Sequence, residues 1–179
     1  MGTATGTMLG EQAPPLELPD TEGAAHTLPA PGEAPATVVV WTCNHCPYAR
    51  AWHDRIATAA RDYADRGVRF LAVNSNDAER YPADSLEEMR KVARGQDWPF
   101  PYLYDSSQDA ARAWNALTTP HLYVVDPGGR IRYEGAADED HKDPAAGAAW
   151  LREALDAVLA GEEPERPSSE LVGCSIKWK

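Results

Sequence analysis

The sequence predicts an α/β fold, a central mixed sheet flanked by helices with a β-hairpin ahead of it. Two observations carry that reading. The β-branched run "TVVVW" at 37–41 precedes an amphipathic helical stripe and then "VRFLAV" at 68–73, and strand, helix, strand in this order implies a parallel pair joined by a right-handed crossover. Further on, "HLYVVDPGGRIRYEG" sets two strands around a Pro-Gly-Gly turn, with Gly128 and Gly129 supplying the turn geometry and adding an antiparallel hairpin.

Each element has its own local cause. Residues 1–36 are rich in Pro, Gly and Ala, and "LELPDTEGAAHTL" alternates around a Gly-containing turn as a hairpin does. The run at 37–41 is that of a buried interior strand. Behind it, Tyr48, Trp52, Ile56, Ala59 and Tyr63 recur at helical spacing, with Arg50, Asp54, Arg61 and Asp65 off the stripe and Gly67 as a stop. Asp84 and Glu87 form a capping-box pattern ahead of Leu86, Met89 and Val92, and Gly95 closes this second helix. "DSSQDAARAWNAL" predicts a third, shorter helix. Asp143 then Pro144 reads as an N-cap with proline at the first helical position, ahead of an apolar face of Leu151, Leu155, Val158 and Leu159 that ends at Gly161.

The length of 179 residues predicts one domain, 1–179, with no internal repeat. The tail, 162–179, has no periodicity, yet Leu171, Val172, Ile176 and Trp178 are too apolar for a free end, so it is expected to pack back with Trp178 as an anchor. A net charge of −11 argues against nucleic acid and anionic membrane as partners, because such binding draws on cations. The longest apolar run, Val38 to Trp41, is far too short to span a bilayer. The N-terminus has neither a basic nor an apolar leader region, and Gly6 stands where N-myristoylation needs Ser or Thr, so a cytoplasmic location is expected.

Three cysteines, Cys43, Cys46 and Cys174, are too few for a disulfide scaffold, and in a reducing compartment a C-x-x-C points to catalysis or metal. A cysteine at a strand-to-helix turn lies near the positive end of the helix dipole, which favours its thiolate. Cys43 is therefore expected to be the nucleophile. Cys46, about one helical turn away, is placed to attack a mixed disulfide at Cys43 and close an intramolecular one. Between them, Asn44 and His45 tune the pair, an imidazole at His45 stabilising the thiolate by hydrogen bond or charge. Pro47 costs the helix little, since the first-turn N–H groups have no helical partner.

The alternative from another class is a zinc or copper site, in which the C-x-x-C is joined by His45, His53 or Cys174. With one C-x-x-C and a structural zinc needing about four ligands, redox chemistry is the expectation and no metal or other cofactor is called for. "NSND" at 74–77 ends a strand at the sheet edge where α/β folds place their sites, so Asn74, Asn76 and Asp77 either line the cleft or serve as turn and cap. Trp41, Trp52, Trp98 and Trp114 are expected as core or cleft walls. Glu134 is a candidate proton acceptor for Cys46, against the plainer reading of a solvated strand-end residue.

Strand, C-x-x-C, helix, strand, helices, then "TTP" leading into a hairpin and a closing helix resembles the thioredoxin fold over most of the chain. The N-terminal "LGEQAPPLELPDTEG" and the insertion from Asn74 to Asn115 resemble the redoxin branch, which includes alkyl hydroperoxide reductase and thiol-specific antioxidant proteins. More narrowly, "CNHCPYA", "NSNDAERYPADS", "FPYLYDSSQDAARAWNA" and "GCSIKWK" look like a group of peroxiredoxin-like thioredoxin-family proteins. The resemblance implies a thioredoxin fold with an N-terminal hairpin and a helical insertion. It also implies that Pro120 is a cis-proline facing the redox pair, with Thr119 offering its backbone to a substrate.

The departures bear on activity. Thioredoxin itself resembles "WCGPC", whereas this chain has Trp41, Thr42 and then "CNHC". A peroxiredoxin pattern needs threonine three residues before the reacting cysteine, where Val40 precedes Cys43 and Cys43 precedes Cys46. The expected function is therefore thiol-disulfide exchange with protein or small-molecule disulfides or thiols and an external electron donor, with thiol peroxidase as the alternative. For Cys174 the two readings are an inert packed residue and a third redox thiol that takes the disulfide from the pair or links to another subunit.

Overall fold

The computed structural model describes residues 7–179, so the leader and lipidation readings of the first six residues lie outside the described residues. Strands β1 (Glu17–Pro19) and β2 (Ala25–Thr27) form the N-terminal antiparallel hairpin. After β3 (Thr37–Trp41) come α1 (Pro47–Tyr63) and β4 (Arg69–Asn74). They are followed by α2 (Leu86–Gly95), β5 (Tyr102–Tyr104), α3 (Asp109–Ala113) and β6 (Thr118–Thr119). The chain continues through β7 (His121–Val125), β8 (Ile131–Gly135), α4 (Ala149–Leu159) and β9 (Cys174–Ser175).

Five strands form the central sheet in the order β5-β4-β3-β7-β8. Its β3–β4 and β4–β5 pairs are parallel and its β3–β7 and β7–β8 pairs antiparallel, which makes the sheet mixed as expected. β3 lies at the centre, and all five of its residues are buried. Alternation along the strands feeds two cores. Val38, Val40, Phe70, Ala72, Leu122 and Val124 pack on one face with Trp52 and Ile56 of α1, Met89 of α2 and Leu151 and Leu155 of α4. Val39, Trp41, Leu71, Val73, Tyr123 and Val125 pack on the other with Ala111 of α3, Trp114 and, from the tail, Ile176. Trp41, Trp52 and Trp114 are fully buried, each burial being worth about 1.5–3 kcal/mol or more.

Two local readings are corrected and one strand is added. The cap of α2 is Ser85, whose hydroxyl accepts from Glu88 N–H at 3.2 Å, one residue beyond the expected Asp84 and Glu87. Asp84 is thereby released for another task. The final helix starts at Ala149, and Asp143 caps only a short turn at Pro144–Ala146. The break comes at Gly147 and Ala148, both in the left-handed region, where Ala148 N–H is drawn to Asp138 Oδ2 at 2.8 Å. Last, β5 is a strand that periodicity did not show, because three residues between Pro101 and Asp105 are too few to display a period.

The tail returns to the body of the fold. β9 pairs antiparallel with β6, Thr118 opposite Ser175 and Thr119 opposite Cys174. Ile176 is 2% exposed, and Trp178 packs against the second core with the Arg112 guanidinium 4.5 Å from its ring centre. Among the described residues, no helix is long and apolar enough to cross a membrane.

Candidate active site

The parallel β3–β4 pairing brings the C-terminal ends of both strands to one edge of the sheet, and the cysteines follow β3 directly. Cys46 is the N-cap of α1 and Pro47 its first helical residue, where a missing N–H leaves no bond unmade. The Thr119–Pro120 bond is cis, and Thr119 lies against both sulfurs. Cys43 Sγ lies 3.3 Å from Thr119 Oγ1, and Cys46 Sγ lies 3.4 Å from the Thr119 carbonyl oxygen. All three cysteines are free thiols; Cys43 and Cys46 are buried and Cys174 is partly exposed. Cys46 Sγ and Cys174 Sγ are 2.7 Å apart.

Asp84 organises the other side of the pair, a role hidden behind its reading as a cap. It is fully buried, and it accepts from Asn44 N–H at 2.7 Å, Asn74 Nδ2 at 3.2 Å and Asn76 Nδ2 at 3.0 Å, with His45 Nδ1 bonded to its Oδ2. The Asn44 side chain donates to Ala83 O at 2.9 Å and accepts from Tyr102 OH at 2.8 Å, which fixes the loop between the cysteines. His45 stacks on Tyr81, ring centres 5.6 Å apart. The imidazole therefore reaches the thiols through Asp84 rather than by a bond of its own to sulfur.

Electrostatics place the resting charge of the pair on Cys46, where the dipole argument put it on Cys43. A hydrogen bond shared with Cys43 pulls the Cys46 thiol down to about 4, outweighing burial, and a hydrogen bond with Cys174 and one from the Ala49 N–H add to the effect. The same shared bond pushes Cys43 up, with burial and the Asp84 charge acting in the same sense and the Thr119 hydroxyl opposing. Cys46, not Cys43, is the N-cap of α1. Burial, then the hydrogen bond with Cys46, raises Cys174 to about 11.

The remaining candidates fall in different places. Asn74 and Asn76 reach the site through Asp84, whereas Asp77 uses its backbone N–H to hold Lys177 O at 2.9 Å and its side chain to accept from Glu79 N–H at 3.1 Å. His53 lies behind the site, its Nε2 3.0 Å from Thr42 Oγ1, and burial first of all lowers it to about 4. Glu134 is neither solvated nor at Cys46: it accepts from Met8 N–H at 2.7 Å and faces His121 at 3.9 Å. Of the groups able to hold a metal, Cys43, His45 and Asp84 bring one ligand atom each within 4.8 Å of the others, while His53 and Cys174 do not join that set.

Comparison with known proteins agrees with this architecture. The family model described as AhpC/TSA family matches residues 9–134. An uncharacterized conserved protein of Geobacillus kaustophilus is 41% identical, with a TM-score of 0.88 over 96% of this chain and 92% of that one. A thiol:disulfide interchange protein of the thioredoxin family from Chlorobium tepidum TLS superposes with a TM-score of 0.65 at 16% identity, over 83% of this chain and 95% of that one, and shows the thioredoxin fold. A curated relative, 1-Cys peroxiredoxin B of Oryza sativa subsp. indica, is 26% identical over 112 residues, 63% of this chain and 50% of that protein. The chain thus spans about half the length of the curated relative it matches.

Proposed function

The chain belongs to the AhpC/TSA family, and from that premise we propose that it is a thiol-disulfide oxidoreductase working through Cys43 and Cys46. The observation that carries the reading is the convergence of both sulfurs on Thr119. As Cys43 attacks a substrate disulfide, its proton passes along the shared hydrogen bond to Cys46, and one substrate sulfur leaves as thiolate. Cys46 then attacks Cys43 Sγ in the mixed disulfide, its proton passes to the second substrate sulfur as that leaves as thiol, and the Cys43–Cys46 bond closes. Two electrons have moved from the pair to the substrate, and an external dithiol returns them. The substrates are protein or small-molecule disulfides, in a reducing, cytoplasmic compartment.

Reduction of insulin or of a small aromatic disulfide tests this. Cys43→Ser is expected to abolish turnover, and Cys46→Ser to accumulate mixed disulfides on Cys43; full activity in Cys43→Ser would overturn the assignment. A second reading, peroxide reduction at a cysteine, is favoured by the likeness to a 1-Cys peroxiredoxin. Val40, where that chemistry would want threonine, weighs against it. Peroxide consumption by Cys46→Ser in the presence of dithiothreitol separates the two, since only a peroxidase would turn over.

A further inference from the structure

The pair at the centre of the proposed exchange is fully buried, yet a third thiol beside it reaches solvent. Cys43 and Cys46 are both 0% exposed, whereas Cys174, 2.7 Å from Cys46, is partly exposed. The tail holds Cys174 there by contacts on both sides of it. On one side Gly173 approaches Thr119 so closely that a Cβ would stand 2.3 Å from the Thr119 carbonyl oxygen, so only glycine fits. On the other, Ile176 N–H donates to Leu117 O at 3.0 Å, Lys177 N–H to Asn76 Oδ1 at 2.9 Å, and Lys177 O accepts from Asp77 N–H and from Gln108 Nε2, both at 2.9 Å. Gln108 adopts a φ of 69°, an unfavourable backbone for a non-glycine residue, in the position from which it makes that bond.

We propose that Cys174 is the outer thiol of a disulfide relay that connects the buried pair to its electron donor; the proposal rests on the exchange chemistry of Cys43 and Cys46. Cys174, as thiolate, attacks Cys46 Sγ of the Cys43–Cys46 disulfide; the Cys46–Cys174 bond forms, the Cys43–Cys46 bond breaks, and Cys43 leaves as thiolate and takes up the proton lost from Cys174. No electrons are gained or lost in this step. The disulfide has moved to a partly exposed sulfur, and Cys43 is free again. An external dithiol then attacks Cys174 Sγ, expels Cys46 as thiolate, and resolves the mixed disulfide with its own second thiol, leaving as a disulfide with both electrons delivered.

The test uses the full chain, reduced and then treated with diamide, with free thiols alkylated and disulfides mapped by mass spectrometry. Wild type is expected to yield Cys46–Cys174 with alkylated Cys43 as well as Cys43–Cys46, and Cys43→Ser to yield Cys46–Cys174. Oxidised Cys174→Ser, holding Cys43–Cys46, is expected to be reduced by dithiothreitol about tenfold more slowly than wild type, because the reductant must reach a buried sulfur directly. Cys174 alkylated in every oxidised form, with an unchanged reduction rate in Cys174→Ser, would overturn the relay and leave the Cys43–Cys46 exchange standing. Failure of Cys174→Ser to form Cys43–Cys46 at all would sink the exchange reading, and the relay with it.

Discussion

Asp84 and Asp138 are both buried, at 0% and 2% exposure, yet the partners that hold them differ in kind. Asp138 accepts from Arg55 Nη1 at both oxygens, 3.0 and 2.9 Å, from Trp52 Nε1 at 2.9 Å and from Ala148 N–H at 2.8 Å. The guanidinium cannot give up its proton, so this pair locks α1 to the turn before α4 in one charge state. Asp84 is instead held by amides and by an imidazole that is 30% exposed, and it lies within 4.8 Å of Cys43 Sγ. Both carboxylates are satisfied, as burial demands. The difference teaches that a guanidinium holds the carboxylate that lies away from the thiols, and amides with an imidazole hold the one beside them.

The sharpest way to break the comparison is to remove each carboxylate. Asp138→Ala strands the buried Arg55 charge and is expected to cost about 3–5 kcal/mol in urea unfolding. Reactivity of the folded fraction toward iodoacetamide should stay that of wild type; a loss of under about 1 kcal/mol would show the pair to be no lock.

Next in size is a pH effect centred on His53, on the same helix. Its folded value, lowered from 6.5 to about 4 chiefly by burial, means the unfolded chain takes up a proton that the fold refuses. Stability is therefore fully present above the unfolded value of 6.5 and is lost as pH falls through the folded value near 4, by about 3 kcal/mol across that window. Urea midpoints of wild type against His53→Gln should diverge in slope between those two values; parallel curves would count against a neutral, buried imidazole.

Asp84→Asn keeps the shape but not the charge and is expected to destabilise by about 1–2 kcal/mol, less than Asp138→Ala. Because the Asp84 charge helps to push Cys43 up, its removal should lower Cys43 and speed its alkylation at neutral pH, an effect Asp138→Asn should not share. Equal alkylation rates in the two variants would erase the functional difference between the clusters.

The smallest effect is expected from His45→Ala, at under about 1 kcal/mol of stability for a part-exposed pair. With the imidazole gone, Asp84 loses the hydrogen bond at its Oδ2, its charge bears more strongly on Cys43, and thiolate absorbance titrated against pH should move upward. No movement would mean that His45 merely caps the loop.

Much of this was legible along the chain. The Val and Trp run of β3, the stripe from Trp52 to Tyr63 and the Pro-Gly-Gly hairpin each declare themselves within a few residues, because strand and helix periods are local properties. The C-x-x-C at the end of β3 and the "TTP" before β7 were equally visible, and the structure sets them face to face. Asp84 was visible only as a helix cap, since Asp three residues before Glu at a helix start has the same appearance whether it caps or turns inward.

What local pattern determined, then, was which segments form strands and helices and which residues carry thiols and imidazoles. Which of those groups meet was decided by the fold. His45 and Asp84 are 39 residues apart in sequence, Cys43 and Thr119 are 76 apart, and Cys46 and Cys174 are 128 apart. No period or turn signal spans such distances. The sheet brings them together by burying the two faces of β3, a constraint on every core residue at once rather than on any neighbouring few.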